Sequence, residues 1–167
     1  RGAPKSLKTP RVLLALQRSD WKPNMSETKT INVAAAIFYK DNKILAACRA
    51  DEENAGFWEF PGGKVEAGET SEQALRREIQ EELHCTVQAA FFYDTVTYSY
   101  PTFNLHMDCY ICTLSESESP SADPKVHSEL RWLAQNELLD VQWLPADIEL
   151  IKQLGTFWND IFASQHL

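Results

Sequence analysis

At 167 residues, with 44% hydrophobic and 24% charged side chains, the chain is sized for one domain that buries its own core, which excludes a disordered or disulfide-stapled polypeptide. No apolar run approaches the roughly 18 residues of a membrane span and no signal peptide with a cleavage site is legible, so a soluble, cytoplasmic protein is expected. The net charge of −8 is uneven: residues 1–24 carry six Lys and Arg against Asp20 alone, and the acidic remainder excludes a nucleic-acid-binding face and requires cations to mediate any contact with phosphate.

Residues 1–24 precede the first methionine, Met25, and read as an extension outside the fold, whether expression-derived, translated from upstream or transit-like, so the domain is expected over 25–167. Ile31 to Tyr39 and Lys43 to Cys48 are apolar and β-prone on either side of Asp41-Asn42, a strand, turn, strand signal. A polar loop over 50–56 leads to Phe57–Gly63, whose Pro-Gly-Gly no helix tolerates.

From Ser71 to His84 the spacing predicts a helix, with Leu75, Ile79 and Leu83 as its apolar stripe and Thr70 or Ser71 as its cap. Thr86–Tyr100 and Phe103–Leu114 read as two long strands turning at Pro101, and 115–124 as an exposed polar loop. A strand over Glu129–Leu133 and a short helix over Gln135–Leu139 follow. The last helix is expected from near Asp147, with Ile148, Ile151, Leu154, Trp158 and Ile161 at helical spacing and Gly155 as a weak point.

Strands interleaved with helices predict an α/β or α+β fold, a mixed sheet sandwiched between helices. Cys109 and Cys112 form a Cys-x-x-Cys, but three residues apart on a strand they point to opposite faces, which argues for core packing over redox or zinc chemistry. Phe91-Phe92 suits either a core or a subunit interface, so monomer and homodimer are both compatible with the sequence.

On the Ser71 helix, Glu78, Glu81 and Glu82 lie three and four apart and crowd their carboxylates onto one face. Taken alone, REIQEEL also reads as a solvated acidic face balanced by Arg76 and Arg77. Upstream, Gly62-Gly63 allows a close backbone approach and Glu69 adds a further carboxylate, so the set is a candidate for a hard divalent cation, Mg²⁺ or Mn²⁺.

The series Gly63, Glu69, Arg77, Glu78, Ile79, Glu81, Glu82 resembles the signature of the Nudix hydrolases, G-x5-E-x7-R-E-U-x-E-E-x-G-U with U aliphatic. WEFPGGKVEAGET resembles the MutT-like branch, and RWLAQNELLDVQWLPAD is similar to the end of bacterial CTP and modified-dCTP pyrophosphohydrolases. The resemblance implies a Nudix-type sheet between helices and a metal-dependent hydrolase that releases a nucleoside monophosphate and pyrophosphate from a small nucleotide.

By the same resemblance, Glu78, Glu81 and Glu82 ligate Mg²⁺ or Mn²⁺ with the Gly62 carbonyl, Glu78 serves as base, and Arg77 orients Glu69 beside the structural Gly63. Arg49 and Lys64 are candidate phosphate cations, and Phe60 and Asp147 candidate base contacts, Asp147 being equally placed to cap a helix.

A carboxylate accepts from the amine of cytosine, which favours cytosine or 5-modified cytosine nucleotides; 8-oxo-dGTP is the alternative, and a non-catalytic nucleotide sensor the alternative of another class. The chain departs from the pattern at His84, which replaces the glycine that ends the helix in a left-handed conformation and is expected to adopt it. Val126 stands where some relatives have a further ligand, and the nearby His127 or Glu129 is the candidate substitute.

Overall fold

The computed structural model describes residues 28–163, so the expected boundary at Met25 and the extension before it lie outside the described residues. Strand β1 (Thr30–Lys40) returns as β2 (Lys43–Arg49) through Asp41 and Asn42, both at positive φ, 52° and 59°, the backbone that two-residue hairpins favour and that Asp and Asn tolerate. Strands β3 (Trp58–Glu59) and β4 (Gly62–Lys64) flank Pro61, so the Phe57–Gly63 segment is two short strands around its breaker. Helix α1 (Ser71–Leu83), the long pair β5 (Val87–Ser99) and β6 (Asn104–Leu114), and β7 (His127–Ala134) follow.

The sheet is mixed. β1 lies parallel to β6 from Thr30 opposite Asn104 to Phe38 opposite Cys112, while β4 and β2 pair antiparallel with successive parts of its other edge; β7 and β3 pair antiparallel with β2. Side-chain alternation along β1 explains two cores. Ile31, Val33, Ala35 and Ile37 face the C-terminal helices, whereas Ala34, Ala36 and Phe38 face Leu75, Ile79 and Leu83 of α1. Cys109 and Cys112 fall in different cores, both buried and free.

Helix α1 begins on Thr70, whose hydroxyl accepts the Gln73 amide at 3.1 Å while the Gln73 side chain accepts the Thr70 amide at 2.9 Å, a reciprocal cap. His84 ends it at φ 54°, ψ 35°, in the left-handed conformation the family's glycine would take.

The expected last helix needs correcting: it is two helices, α2 (Pro145–Thr156) and α3 (Trp158–Ala163). The start lies earlier because Pro145 supplies a preset φ at the first helical position. The break falls at Phe157 and not at Gly155. Turning there buries Trp158, whose indole N–H donates to Asn42 Oδ1 at 2.9 Å and whose ring packs on Phe162 and Tyr39. The expected helix over Gln135–Leu139 is a single 3₁₀ turn, Gln135–Glu137. Among the described residues no helix is long and apolar enough to cross a membrane.

Candidate active site

β4 brings its glycines against two neighbours that no side chain would admit. A Cβ on Gly62 would strike the Ala34 carbonyl, and one on Gly63 would fall on the Glu78 carboxyl carbon. The missing Cβ of Gly63 is therefore the space Glu78 occupies. Arg77 fixes the approach from the other side: it grips both oxygens of Glu69 (Nη2 to Oε1 2.7 Å, Nε to Oε2 3.2 Å), donates to the Lys64 carbonyl at 3.0 Å, and holds Glu78 Oε1 through Nη1 at 2.8 Å. Glu69 also accepts the Glu66 amide at 2.7 Å, which closes the loop into α1.

One turn further on, Glu82 lies beside Glu78 and close enough to Glu59 to feel its charge. Burial, then the charges of Glu59 and Glu78, push the Glu82 carboxyl up to about 9. Burial also raises Glu78, though Arg77 opposes it. Glu81 turns outward, 61% exposed and 3.5 Å from Arg77.

Glu59 comes from β3, where strand alternation sets it opposite to the buried Trp58 and Phe60. It is bonded to Arg49 Nη1 at 2.6 Å and lies 3.5 Å from His127 Nε2. Burial opposes its charge, but Arg49 and His127 outweigh burial and hold it low. Arg49, only 1% exposed, also donates to Asp51 at 2.8 Å, and its Nη2 has no hydrogen-bond partner.

Next to this cluster runs an apolar slot lined by Val33, Phe60, Gly62, Gly63, Tyr100 and Asp147. Asp147 is not a cap: Leu144 holds that position, and the Asp147 side chain is 4% exposed inside the slot, with Oδ1 unbonded. Burial, then Glu59's charge, raises its carboxyl well above the usual range. Phe60 packs on Trp143 with ring centroids 5.1 Å apart.

Among the described residues, no three His, Cys, Asp or Glu side chains are set closely enough to hold a metal ion by themselves. The donor chemistry nevertheless fits a hard divalent cation completed by water and phosphate: adjacent oxygen donors, crowded enough to raise their own affinity for protons, seated against a glycine backbone. Glu129 is half-exposed and accepts from Arg131 at 3.0 Å. Lys64 meets the cluster through its carbonyl, bound by Arg77.

The model of the NUDIX domain matches residues 28–154. The chain belongs to the NUDIX family. Its relatives are MutT-like, and it is a hydrolase of that kind. A Proteus vulgaris 8-oxo-dGTP diphosphatase is 38% identical over 96 residues, 56% of this chain and 86% of the relative. An Escherichia coli CTP pyrophosphohydrolase is 35% identical over 130 residues, 74% of this chain and 90% of the relative. The solution structure of the E. coli ORF135 protein matches with a TM-score of 0.68 and 32% identity, covering 86% of this chain and all of that one.

In this Nudix hydrolase, sequence reasoning passed over Glu59 and Tyr100. The signal for Glu59 was an acid wedged between two aromatics ahead of Pro-Gly-Gly, where period-two alternation sends it to the opposite face. Nothing local marks Tyr100, which reaches Asp147 only through the tertiary fold.

Because Glu78 fills the Gly63 vacancy, Gly63→Ala is expected to displace that carboxylate and lower kcat by about 10²-fold, the cost of misplacing a reacting group by an ångström or so. Steady-state hydrolysis alongside a thermal melt checks this; a folded variant with wild-type kcat would contradict it.

Proposed function

We propose that the chain hydrolyses a nucleoside triphosphate to the monophosphate and pyrophosphate, with cytosine and 5-modified cytosine nucleotides preferred. The observation that carries this reading is that one pair of glycines, Gly62-Gly63, walls both the Asp147 slot and the seat of Glu78. A base held in the slot brings its phosphates to the glutamates.

Glu78, Glu81 and Glu82, with the Gly62 carbonyl, are the groups to hold Mg²⁺ or Mn²⁺, which supplies charge neutralisation at phosphate and lowers the pKa of bound water. Glu78 is assigned as base: Arg77 anchors Oε1, and burial gives the carboxyl a raised proton affinity suited to accepting a proton from water. Arg77 positions Glu69 and Glu78 and need not touch substrate. Arg49, whose Nη2 is unpartnered, and Lys64 are assigned to the phosphates.

Base choice rests on Asp147. Burial raises its carboxyl well above the usual range, and in its protonated form the acid offers an O–H donor next to a C=O acceptor, the complement of cytosine N3 and N4. The CTP pyrophosphohydrolase relative supports this choice. The same acid also complements the O6 and N1 edge of an oxidised guanine, and the Proteus relative supports 8-oxo-dGTP as the second reading.

Comparing kcat/KM over canonical, 5-modified and 8-oxo triphosphates with Mg²⁺ decides between them. Cytosine nucleotides leading is the expected result; 8-oxo-dGTP leading reverses the base assignment, and tight binding without turnover of any nucleotide replaces the enzyme by a sensor. Asp147→Asn is expected to cost the preferred base about 10- to 100-fold in kcat/KM, mostly through KM.

A further inference from the structure

The slot beside Asp147 holds a second buried polar group whose hydrogen bonding is incomplete. Tyr100 sits at the β5–β6 turn, only 8% exposed, and its hydroxyl proton has no acceptor, the Ala146 amide being the backbone group that approaches its oxygen. The ring is not loose. It packs on Phe103 with centroids 4.9 Å apart and on Tyr98 at 4.6 Å, and its backbone amide donates to the Phe103 carbonyl at 2.9 Å.

The surrounding wall is apolar, with Val33, Leu105, Met107 and Leu144 in reach. A buried hydroxyl whose proton lacks an acceptor is destabilising, so phenylalanine would be the better residue for packing alone. Two such atoms in the lining of one apolar slot, on a tyrosine and an aspartate from different elements, are accounted for together if a ligand supplies their missing partners.

We propose that Tyr100 is a specificity residue: its hydroxyl and the Asp147 carboxyl jointly read adjacent polar atoms on the edge of a nucleobase, the hydroxyl donating to a carbonyl oxygen of the base. This rests on the nucleotide-hydrolase reading above. The shared chemistry is a base edge with a carbonyl beside an N–H or ring-nitrogen group, which cytosine and oxidised guanine both present. Burial raises the Tyr100 hydroxyl, which keeps it a donor at working pH.

The test compares wild type, Tyr100→Phe, Asp147→Asn and the double variant on CTP, 8-oxo-dGTP and benzimidazole riboside triphosphate, a purine-shaped base with no carbonyl or amine, with phenyl riboside triphosphate as its pyrimidine-sized counterpart. Tyr100→Phe is expected to narrow the kcat/KM gap between the preferred nucleotide and its size-matched analogue by about 10-fold or more, through KM. The double variant should lose less than the product of the single losses, because both side chains serve one base edge.

Whichever of CTP and 8-oxo-dGTP shows the narrowing is the source of that edge. A Tyr100→Phe variant that melts at or above the wild-type temperature yet leaves the gap unchanged overturns the role of Tyr100 alone. Equal losses on every nucleotide tested would mark the tyrosine as structural and also overturn it. A wild-type enzyme that hydrolyses none of them overturns the proposed function, and this inference with it.

Discussion

Glu82→Gln is expected to lower kcat by roughly 10³-fold or more while leaving the protein folded, the scale of loss when an essential charge at a metal-assisted phosphoryl site is removed. The amide keeps the shape of the side chain and removes the charge that a cation would meet. Because burial and then the charges of Glu59 and Glu78 disfavour the Glu82 carboxylate, the variant is also relieved of that cost. Lower activity with equal or higher metal-free thermal stability is therefore the predicted combination, the signature of a site that trades stability for function. Loss of both together would mean that Glu82 is structural.

The second large effect is on stability against pH. Glu82 titrates near 9 in the folded protein, against about 4 for a free carboxyl, so folding favours its protonated form. That contribution is fully present below the unfolded value and is lost as pH rises through the folded one. Asp147, also raised, acts in the same direction.

Without metal, the melting temperature is expected to fall between about pH 5 and pH 9, with a free-energy loss on the order of a few kcal/mol. Mg²⁺ or Mn²⁺ at millimolar concentration should restore most of it at pH 8 and little at pH 5, since binding must displace the proton. Melts of wild type and Glu82→Gln across this range check the account: the variant should show the shallower slope and the smaller metal response. Parallel curves would remove Glu82 from the linkage.

Much of this was legible in the sequence, for reasons that are local. The α1 stripe of Leu75, Ile79 and Leu83, the Thr70 cap and the left-handed end at His84 follow from short-range rules, and the structure has them all. The hairpin at Asp41-Asn42 and the opposed faces of Cys109 and Cys112 follow from strand period and turn chemistry. Family membership follows from the Gly63 to Glu82 series.

What escaped depends on distant partners. The helix break at Phe157 is set by Trp158 reaching Asn42, 116 residues away in sequence, which no propensity reports. The burial of Arg49 with Glu59 and His127 needs β2, β3 and β7 to be adjacent, and an acid near a helix start suits a cap and a base contact equally, which leaves Asp147 open between them. The structure takes the cap away from it, since Pro145 shifts the start and leaves Leu144 in that position.

Product analysis reads the chemistry at the Gly63, Glu78 and Glu82 seat without intermediaries. CTP, 5-methyl-dCTP and 8-oxo-dGTP would each be incubated with the protein and Mg²⁺, and the phosphorus products followed by ³¹P NMR. Nucleoside monophosphate and pyrophosphate are expected in equal amounts, with no reaction when the metal is chelated. Release of nucleoside diphosphate and inorganic phosphate, or turnover undiminished by the chelator, would rule out metal-dependent pyrophosphohydrolysis at this seat.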